Sequence, residues 1–360
     1  MQSIVFAAVA GWVALVACSS VGYAQSPAVM PAAEVKVIES FDVGPSVYVR
    51  ALTIEPSANS IWVGTSVGVH EIDLTNGKPK KTFTRESGLA NEYVFGIGID
   101  TEGYKWFGTN AGGASRYKDG QWKTYFPMHG LADYWIYTFA NDKQGNLWIG
   151  TWAGANKFDL KTKKFSTYVK ELINEWVYGL DVDAKGTVWF GTEGGVSAFD
   201  GKKWRSWSHK DGLGAANTNK LPASPNTGLG TRKRHDLTTL LQGQQTYNPN
   251  YVFSLMVARD QGVWAGTWGA GVGRWDGKQW ANLSTQDGLA GDIVYSIAQD
   301  QTGAMWFGTN NGVSRYDGKT WKQFRKQDGL HDNNVYALAV APNGDVWVGS
   351  RGGVVRIGKK

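Results

Sequence analysis

Side chains that could carry out catalysis are few in this sequence, and they lack the spacing of a known site. The five histidines show none of the short intervals that metal ligands within one segment have. They are His70, His129, His209, His235 and His331. No nucleophile motif or phosphate-binding loop is present. Residues 181–186, DVDAKG, look like a calcium loop but fall where other repeats have an Asp-x-x-Gly turn, so we interpret them as a turn. We therefore expect no metal and no cofactor, and binding rather than catalysis.

Aromatic side chains are stronger candidates, because they suit sugar rings and protein hot spots. Trp152 and Trp268 directly follow a W-x-G-[TS] motif, at positions where a loop is expected. Tyr134, Trp135 and Trp176 lie where neighbouring strands begin. These residues form an exposed aromatic platform or cover the top of the core, and the sequence leaves both interpretations open.

A second aromatic set lies eleven residues before the repeated tryptophan. Its members are Phe95, Tyr137, Tyr178, Phe253, Tyr295 and Tyr336. In the first repeat, which has one extra turn residue, Arg50 takes this place. The aromatic residues either pack between repeats or form a ring at the mouth of a channel. Arg50 could bind an anion, stack on a ring or pair with a carboxylate.

The loops that follow the motif differ from repeat to repeat, and such variation in a regular frame indicates individual recognition. The first loop residue is Glu193 in one repeat and Arg351 in another. An insertion at 214–249 widens one spacing and carries three further candidates, which are Arg232, Arg234 and His235. Long ordered loops are uncommon and often functional. We expect the insertion to cover the channel, to dock a partner or to be a tolerated surface excursion.

These candidates are positioned by a repeat in which W-x-G-[TS] occurs seven times. The tryptophans are Trp62, Trp106, Trp148, Trp189, Trp264, Trp306 and Trp347. One unit, 294–326, reads as four short strands separated by Gly, Asn and Asp turns, and the strands are 294–299, 304–309, 313–316 and 321–325. Four antiparallel strands per repeat, without helical periodicity, are typical of a propeller blade. The sequence therefore predicts an all-β, seven-bladed β-propeller over residues 35–360.

The two ends of the chain indicate how the ring closes. The last repeat has no fourth strand, and residues 35–41 have no repeat of their own. Residues 49–54 have the pattern of a first strand. We expect the N-terminal strand to complete the last blade, which would cover a sheet edge that otherwise invites aggregation.

The N-terminal segment predicts export. The apolar run 4–17 is shorter than the ~20 residues of a membrane-spanning helix and is typical of a signal peptide, which we assign to 1–24. The motif LVAC, ending at Cys18, fits a bacterial lipobox in which Cys18 is lipidated and cleavage precedes it. Gly22-Tyr23-Ala24 has small residues at the positions that a signal peptidase reads and fits a simple cut before Gln25 instead. Residues 25–34 then form a tether.

The composition excludes few function classes. Cys18 is the one cysteine, so no disulfide can form within the chain. The net charge is +6, in short scattered runs that read as solvated turns or as attraction to acidic glycans or lipid headgroups. No nucleic-acid motif accompanies them, so we expect no nucleic-acid partner.

The string GLAGDIVYSIAQDQTGAMWFGTNNGVSRYDG at 288–318 resembles the two-component regulator propeller repeat, and the match recurs in six of the seven repeats. That family often forms the periplasmic sensor part of hybrid histidine kinases, where glycan-derived ligands are sensed. Because the chain ends at Lys360 without a kinase segment, the resemblance implies a stand-alone binding or scaffold propeller. A second resemblance, to streptogramin lyase propellers, is confined to short Trp- and Gly-rich blades, and the His and Glu of their metal site have no matching pair here.

These observations favour a non-enzymatic binding module of the bacterial envelope. We expect its ligand to be a protein partner or a glycan on the face that bears the insertion, with membrane contact only through a lipid anchor on Cys18. The alternative is a lyase or hydrolase with its site at the channel mouth. A bound metal, or two carboxylates converging with a histidine, would favour that alternative.

Overall fold

Residues 35–224 and 246–359 are described by the structure, a computed structural model. Within them every regular element longer than a 3₁₀ turn is a β-strand. Every pair of neighbouring strands is antiparallel, and most strands are four to six residues long because Gly- and Asp-containing turns separate them.

Five of the sheets have four strands each. Their members, in chain order, are β5–β8 (Val94–Ile99, Lys105–Thr109, Ala114–Lys118 and Gln121–Tyr125), β9–β12 (Ile136–Asn141, Asn146–Thr151, Gly154–Asp159 and Phe165–Tyr168), β13–β16 (Val177–Val182, Val188–Thr192, Gly195–Phe199 and Trp204–Trp207), β17–β20 (Asn248–Val257, Val263–Trp268, Val272–Trp275 and Trp280–Leu283) and β21–β24 (Val294–Gln299, Met305–Thr309, Gly312–Tyr316 and Trp321–Phe324).

The sixth sheet has six strands, because its first strand is continuous. β1 (Val35–Glu55) is a single strand. Its first half pairs with β26 (Val346–Lys359), and its second half pairs with β2 (Ser60–Thr65). The full order is β25-β26-β1-β2-β3-β4, where β25 is Val335–Val340, β3 is Gly68–Asp73 and β4 is Pro79–Phe83.

The prediction of seven four-stranded blades is therefore wrong. Counted by hydrogen-bonded sheets, the chain is an all-β, six-bladed β-propeller. The sequence count followed the seven tryptophans, but the repeats of Trp347 and Trp62 share the six-stranded sheet. The residues between 41 and 49 stay hydrogen-bonded to β26 at Asp42, Gly44 and Tyr48, so no break divides β1 into two strands.

The predicted closure is confirmed. Val35 pairs with Lys359 and Phe41 pairs with Val354, so the N-terminal half of β1 completes the last repeat. The strand plan for 294–326 is also confirmed to within one residue at each end.

The W-x-G-T motif has a local physical basis in β6. The Trp106 side chain is fully buried. A Cβ on Gly108 would lie 2.8 Å from Ile136 of the next sheet, so only glycine permits this approach. The Thr109 hydroxyl donates to the carbonyl of Gly113 at 2.9 Å and holds the turn into β7. The motif thus fixes the packing between neighbouring sheets.

The two ends of the insertion, as far as they are described, are tied to each other. Ala223 and Tyr247 form a parallel bridge. The Tyr247 hydroxyl donates to the carbonyl of Ala215 at 2.8 Å. β17 begins at Asn248, one residue before the predicted end of the insertion. Helices long and apolar enough to cross a membrane do not occur in the described residues.

Candidate binding site

The inner strands of the propeller form a closed ring around an axial pocket. β1, β5, β9, β13, β17, β21 and β25 contact one another in that order, and the six-stranded sheet contributes both β1 and β25. The pocket has a volume of about 210 Å³. Its walls include Arg50 and the whole aromatic set, Phe95, Tyr137, Tyr178, Phe253, Tyr295 and Tyr336. The residues spaced eleven before each tryptophan therefore line a channel and also pack against each other across sheets.

Arg50 occupies a gap in this aromatic ring. Its guanidinium carbon lies 4.7 Å from the centre of the Tyr336 ring and 5.8 Å from that of Phe95. Nη1 of Arg50 is buried and has no hydrogen-bond partner among the described residues. Of the three roles that the sequence left open, stacking on rings is thus present, and Arg50 forms no ion pair with a described carboxylate.

Two hydroxyl groups of the pocket also lack a hydrogen-bond partner. Oη of Tyr295 and Oγ of Ser296 are buried without a hydrogen-bond partner in the described part of the chain. Burial raises the pKa of Tyr295, so its phenol keeps its proton and can donate a hydrogen bond. Burial likewise raises the pKa of Tyr137, Tyr178 and Tyr336. The pocket therefore presents neutral phenols and one cation.

The tryptophans of the aromatic platform form a layer joined to the pocket, whereas Tyr134 is 46% exposed. Trp152, Trp176 and Trp268 are 4%, 1% and 2% exposed, and Trp135 is half-buried. Trp152 lies edge-on between Trp135 and Trp176, with 5.1 Å between ring centres on each side. Tyr251 stacks on Trp268 at 5.5 Å and contacts Tyr178 of the pocket at 4.9 Å. Of the two interpretations, the structure shows the cover: these tryptophans pack over the aromatic ring and are not exposed.

Trp268 also connects the pocket to the insertion. Its indole Nε1 donates to Oγ1 of Thr246 at 2.8 Å, at the point where the insertion returns to β17. Arg232, Arg234 and His235 lie outside the described residues, and so do Cys18 and the whole of 1–34.

The two charged loop candidates lie in different surroundings. Glu193 is 6% exposed, and its charge contributes to the raised pKa of Tyr137 and of Tyr178. Arg351 is exposed, donates to the carbonyl of Pro45 at 3.2 Å and lines a separate cavity of about 580 Å³ beside His331. Arg50 thus lines the axial pocket, Glu193 lies near it without lining it, and Arg351 belongs to the separate cavity.

His331 and Asp42 line that second cavity, and with Ser40 they form a serine, histidine and aspartate series in the order of a catalytic triad. Oγ of Ser40 lies 2.9 Å from Nε2 of His331, and Nδ1 of His331 lies 3.5 Å from Oδ1 of Asp42. However, the Asp42 side chain is 88% exposed, and 3.5 Å is too long to orient an imidazole. Ser40 lies in mid-strand, paired with Val355. The arrangement ties the closing strand to the loop before β25.

Sequence reasoning missed the small residues of the pocket. The position directly after each ring residue holds Ala51, Gly96, Thr138, Gly179, Ser254, Ser296 and Ala337. Four of these line the cavity, and they are Thr138, Gly179, Ser254 and Ser296. The signal was available: a small residue after a large aromatic one in every repeat indicates a space beside the ring. Metal-ligand groups of three or more His, Cys, Asp or Glu side chains are absent from 35–224 and 246–359.

Residues 130–153, 288–311 and 329–352 match the family described as two component regulator propeller. The chain carries the propeller repeats of this family. No curated protein sequence matches it significantly.

Solved structures share the fold at low sequence identity. The extracellular domain of BT3049, assigned to a hybrid two component system of B. thetaiotaomicron, is 21% identical, with a TM-score of 0.69 over 86% of this chain. The chain spans only 39% of that structure. Virginiamycin B lyase of Staphylococcus aureus is 12% identical, with a TM-score of 0.64 over 90% of this chain and 99% of the lyase. PorZ, a surface component of the type-IX secretion system of Porphyromonas gingivalis, is 15% identical, with a TM-score of 0.61 over 88% of this chain and 47% of its own.

Proposed function

We propose that this chain is the ligand-binding propeller of an extracellular sensor-type protein and that it holds a small molecule in the axial pocket. One observation carries the proposal: buried polar atoms of Arg50, Tyr295 and Ser296 point to a missing partner, because burying such groups unpaired is costly. The aromatic walls supply the apolar contact area that small-molecule sites use. The repeat family and the fold shared with an extracellular sensor domain support the same role.

We further propose export to the bacterial envelope, with an anchor on Cys18. The fold shared with extracellular and surface domains supports export. Cys18→Ala should release the protein from the membrane fraction, and unchanged fractionation would count against the anchor. The partner or glycan expected on the insertion-bearing face belongs to this proposal as well. If a variant without the insertion captures the same partners from envelope extract, residues 214–249 do not dock them.

The test of pocket binding is a variant that fills the pocket. Ser296→Leu places a larger side chain in the cavity, whereas Ser166→Leu changes an exposed residue of β12 and serves as the control. We expect a panel of neutral and acidic mono- and disaccharides and small aromatic acids, screened by thermal shift and calorimetry, to contain a ligand of the wild type. Ser166→Leu should keep that affinity and Ser296→Leu should lose it. Equal affinity in both variants would place the ligand elsewhere.

A hydrolase with its site away from the channel mouth is a second candidate, which would use Ser40, His331 and Asp42. In that case a fluorophosphonate probe should label wild type but not Ser40→Ala or His331→Gln. Because Asp42 is exposed and Ser40 lies in mid-strand, we expect no labelling of wild type or of the two variants. Stoichiometric labelling of Ser40 would show that the closing strand is reactive, and it would favour a hydrolase over a binding protein.

A further inference from the structure

We propose that the ligand of the axial pocket is a small organic monoanion, a monocarboxylate with a flat or ring-shaped body. This inference rests on the proposed function and adds the chemical class of the ligand. It starts from the composition of the pocket wall, in which Arg50 is the one charged residue.

Arg50 is a permanent cation in the pocket. A guanidinium does not lose its proton in a protein, so burial cannot neutralise it as it can a lysine or a carboxylate. Its described contacts are the faces of Tyr336 and Phe95, which satisfy none of its N–H donors. Arg50 is half-buried as a residue, but its Nη1 is buried and has no described partner. This N–H group is best completed by an anionic oxygen, because charge-assisted hydrogen bonds are the strongest available to it.

The other polar groups of the pocket fit the same ligand. Tyr295 and Ser296 are adjacent in β21, and both carry hydroxyl groups without described partners. Because burial raises the pKa of Tyr295, its phenol is a hydrogen-bond donor at neutral pH. Three donors, with no carboxylate in the wall, favour an oxyanion. The charge of Arg50 repels a cation, which the aromatic faces would otherwise suit.

Carboxylates just outside the pocket limit the charge of the ligand to one. The charge of Asp332 raises the pKa of Tyr295 and Tyr336. The charges of Asp133 and Glu193 raise the pKa of Tyr137. In each case Arg50 lowers the same pKa. A second negative charge would be repelled by these carboxylates, with one cation to offset it. A monocarboxylate is therefore favoured over a phosphate ester or a dicarboxylate.

The size and the walls of the pocket define the body of the ligand. A volume of about 210 Å³ is below the range of ~300–1,000 Å³ that is usual for drug-sized ligands, so the ligand is small. Rings from six inner strands line it. Flat faces, whether of an aromatic acid or of a sugar acid, stack well on such walls.

The test uses pairs of probes that differ only in charge, with calorimetry on the full chain. Benzoate is compared with benzamide, and glucuronate with glucose, while phosphate serves as an anion of higher charge. Arg50→Gln removes the cation, and Arg205→Gln, on an exposed side chain of β16, is the matched control. Arg50→Lys keeps the charge but loses the planar donor fork.

We expect at least one carboxylate to bind wild type and Arg205→Gln roughly tenfold or more tightly than its neutral counterpart, as befits a charge-assisted hydrogen bond. Arg50→Gln should abolish this preference, and Arg50→Lys should retain part of it. If neutral probes bind as tightly as the carboxylates, and Ser296→Leu abolishes both, the pocket binds ligands but the charge inference is overturned. If phosphate binds more tightly than the carboxylates, the inference that the ligand carries a single negative charge is overturned. If no probe binds at all, the proposed function fails together with the inference.

Discussion

The indole Nε1 of Trp106 donates a hydrogen bond of 2.8 Å to Oδ2 of Asp100, six residues before it. Oδ1 of the same carboxylate accepts the backbone N–H groups of Glu102 and Tyr104, so one side chain holds the turn and orients the core tryptophan. Four other repeats contain the equivalent bond, and the pairs are Trp62 with Glu55, Trp148 with Asp142, Trp189 with Asp183 and Trp306 with Asp300. The remaining two repeats have alanine at this position, Ala258 and Ala341.

Ala341→Asp should stabilise the protein by about 1 kcal/mol. Nε1 of Trp347 is buried and lacks a partner among the described residues, and the same is true of Nε of Arg356. In the repeat of Trp306 the aspartate Asp300 serves both the indole and the equivalent arginine. An aspartate at 341 would serve both orphaned donors. The measurement is the free energy of unfolding from denaturant titration.

Ala258→Asp is the matched control for this prediction. Its tryptophan, Trp264, is 6% exposed whereas Trp347 is fully buried, so less is gained by supplying an acceptor. The gain should therefore be smaller at 258 than at 341. If Ala341→Asp is no more stable than wild type while Ala258→Asp is, burial of the unpaired indole does not decide the effect.

Asp181 should make stability depend on pH in an unusual direction. Its carboxylate accepts the N–H of Val257 at 2.7 Å across two sheets, and burial raises its pKa above the usual value. Because the folded state takes up this proton more readily than the unfolded state, its contribution is full below the unfolded pKa. It is lost as the pH rises through the folded pKa. The free energy of unfolding of wild type relative to Asp181→Asn should therefore increase as the pH is lowered from 7 towards 4.

Asp317 gives the opposite sign and serves as the control. It accepts hydrogen bonds from Thr320 and Lys319, which hold its pKa at about 2. Its contribution is present above the unfolded pKa and disappears as the pH falls towards 2. Stability measured by urea titration between pH 3 and 7 distinguishes the two cases. Parallel pH profiles for Asp181→Asn and Asp317→Asn would contradict the assignment of Asp181.

The sequence predicts the strands well because each one is specified locally. Alternating apolar residues, Asp-Gly turns and the W-x-G-T motif determine 294–326 almost to the residue. The predicted number of sheets was wrong because it depends on whether the chain stays hydrogen-bonded between two predicted strands. Tyr48 pairs with Arg351, and Gly44 with Gly352, so β1 continues where the pattern predicts a break. Pairing between residues some 300 positions apart leaves no local signal.

The site was predictable in part. The eleven-residue register identified Arg50 and the aromatic ring, because equivalent positions in a repeat occupy equivalent places around an axis. The sequence left the burial of Trp152 and Trp268 undecided, because it depends on contacts with Trp135, Trp176 and Tyr251, which are distant along the chain. The missing hydrogen-bond partner of Arg50 is likewise visible only when all neighbouring strands are present.

The buried Arg116 and the half-buried Arg50 should respond differently to the same substitution. Arg116 pairs with Asp100 at 3.1 Å and with Glu102 at 2.7 Å, so Arg116→Gln leaves a buried carboxylate unpaired and should cost about 3 kcal/mol. Arg50 has no such pair, and Arg50→Gln should leave the free energy of unfolding unchanged or increase it. Thermal and denaturant unfolding of the ligand-free protein test this contrast. A loss at Arg50 equal to that at Arg116 would indicate a structural role for Arg50 and weaken its assignment to a ligand.

Phe41 should be the residue through which the closing strand contributes most to stability. Its ring stacks on Trp347 with 5.3 Å between centres and 19° between planes, and its backbone pairs with Val354. Phe41→Ala should cost about 2 kcal/mol, less than the ~3–5 kcal/mol of a fully buried phenylalanine because Phe41 is half-buried. It should also speed amide hydrogen exchange at Val354. Phe126→Ala, on a loop outside the core clusters, is the matched control and should cost less and leave that amide unchanged. If both variants lose the same stability and Val354 stays protected, the strand is held by its backbone pairing alone, and the stack of Phe41 on Trp347 adds nothing to closure.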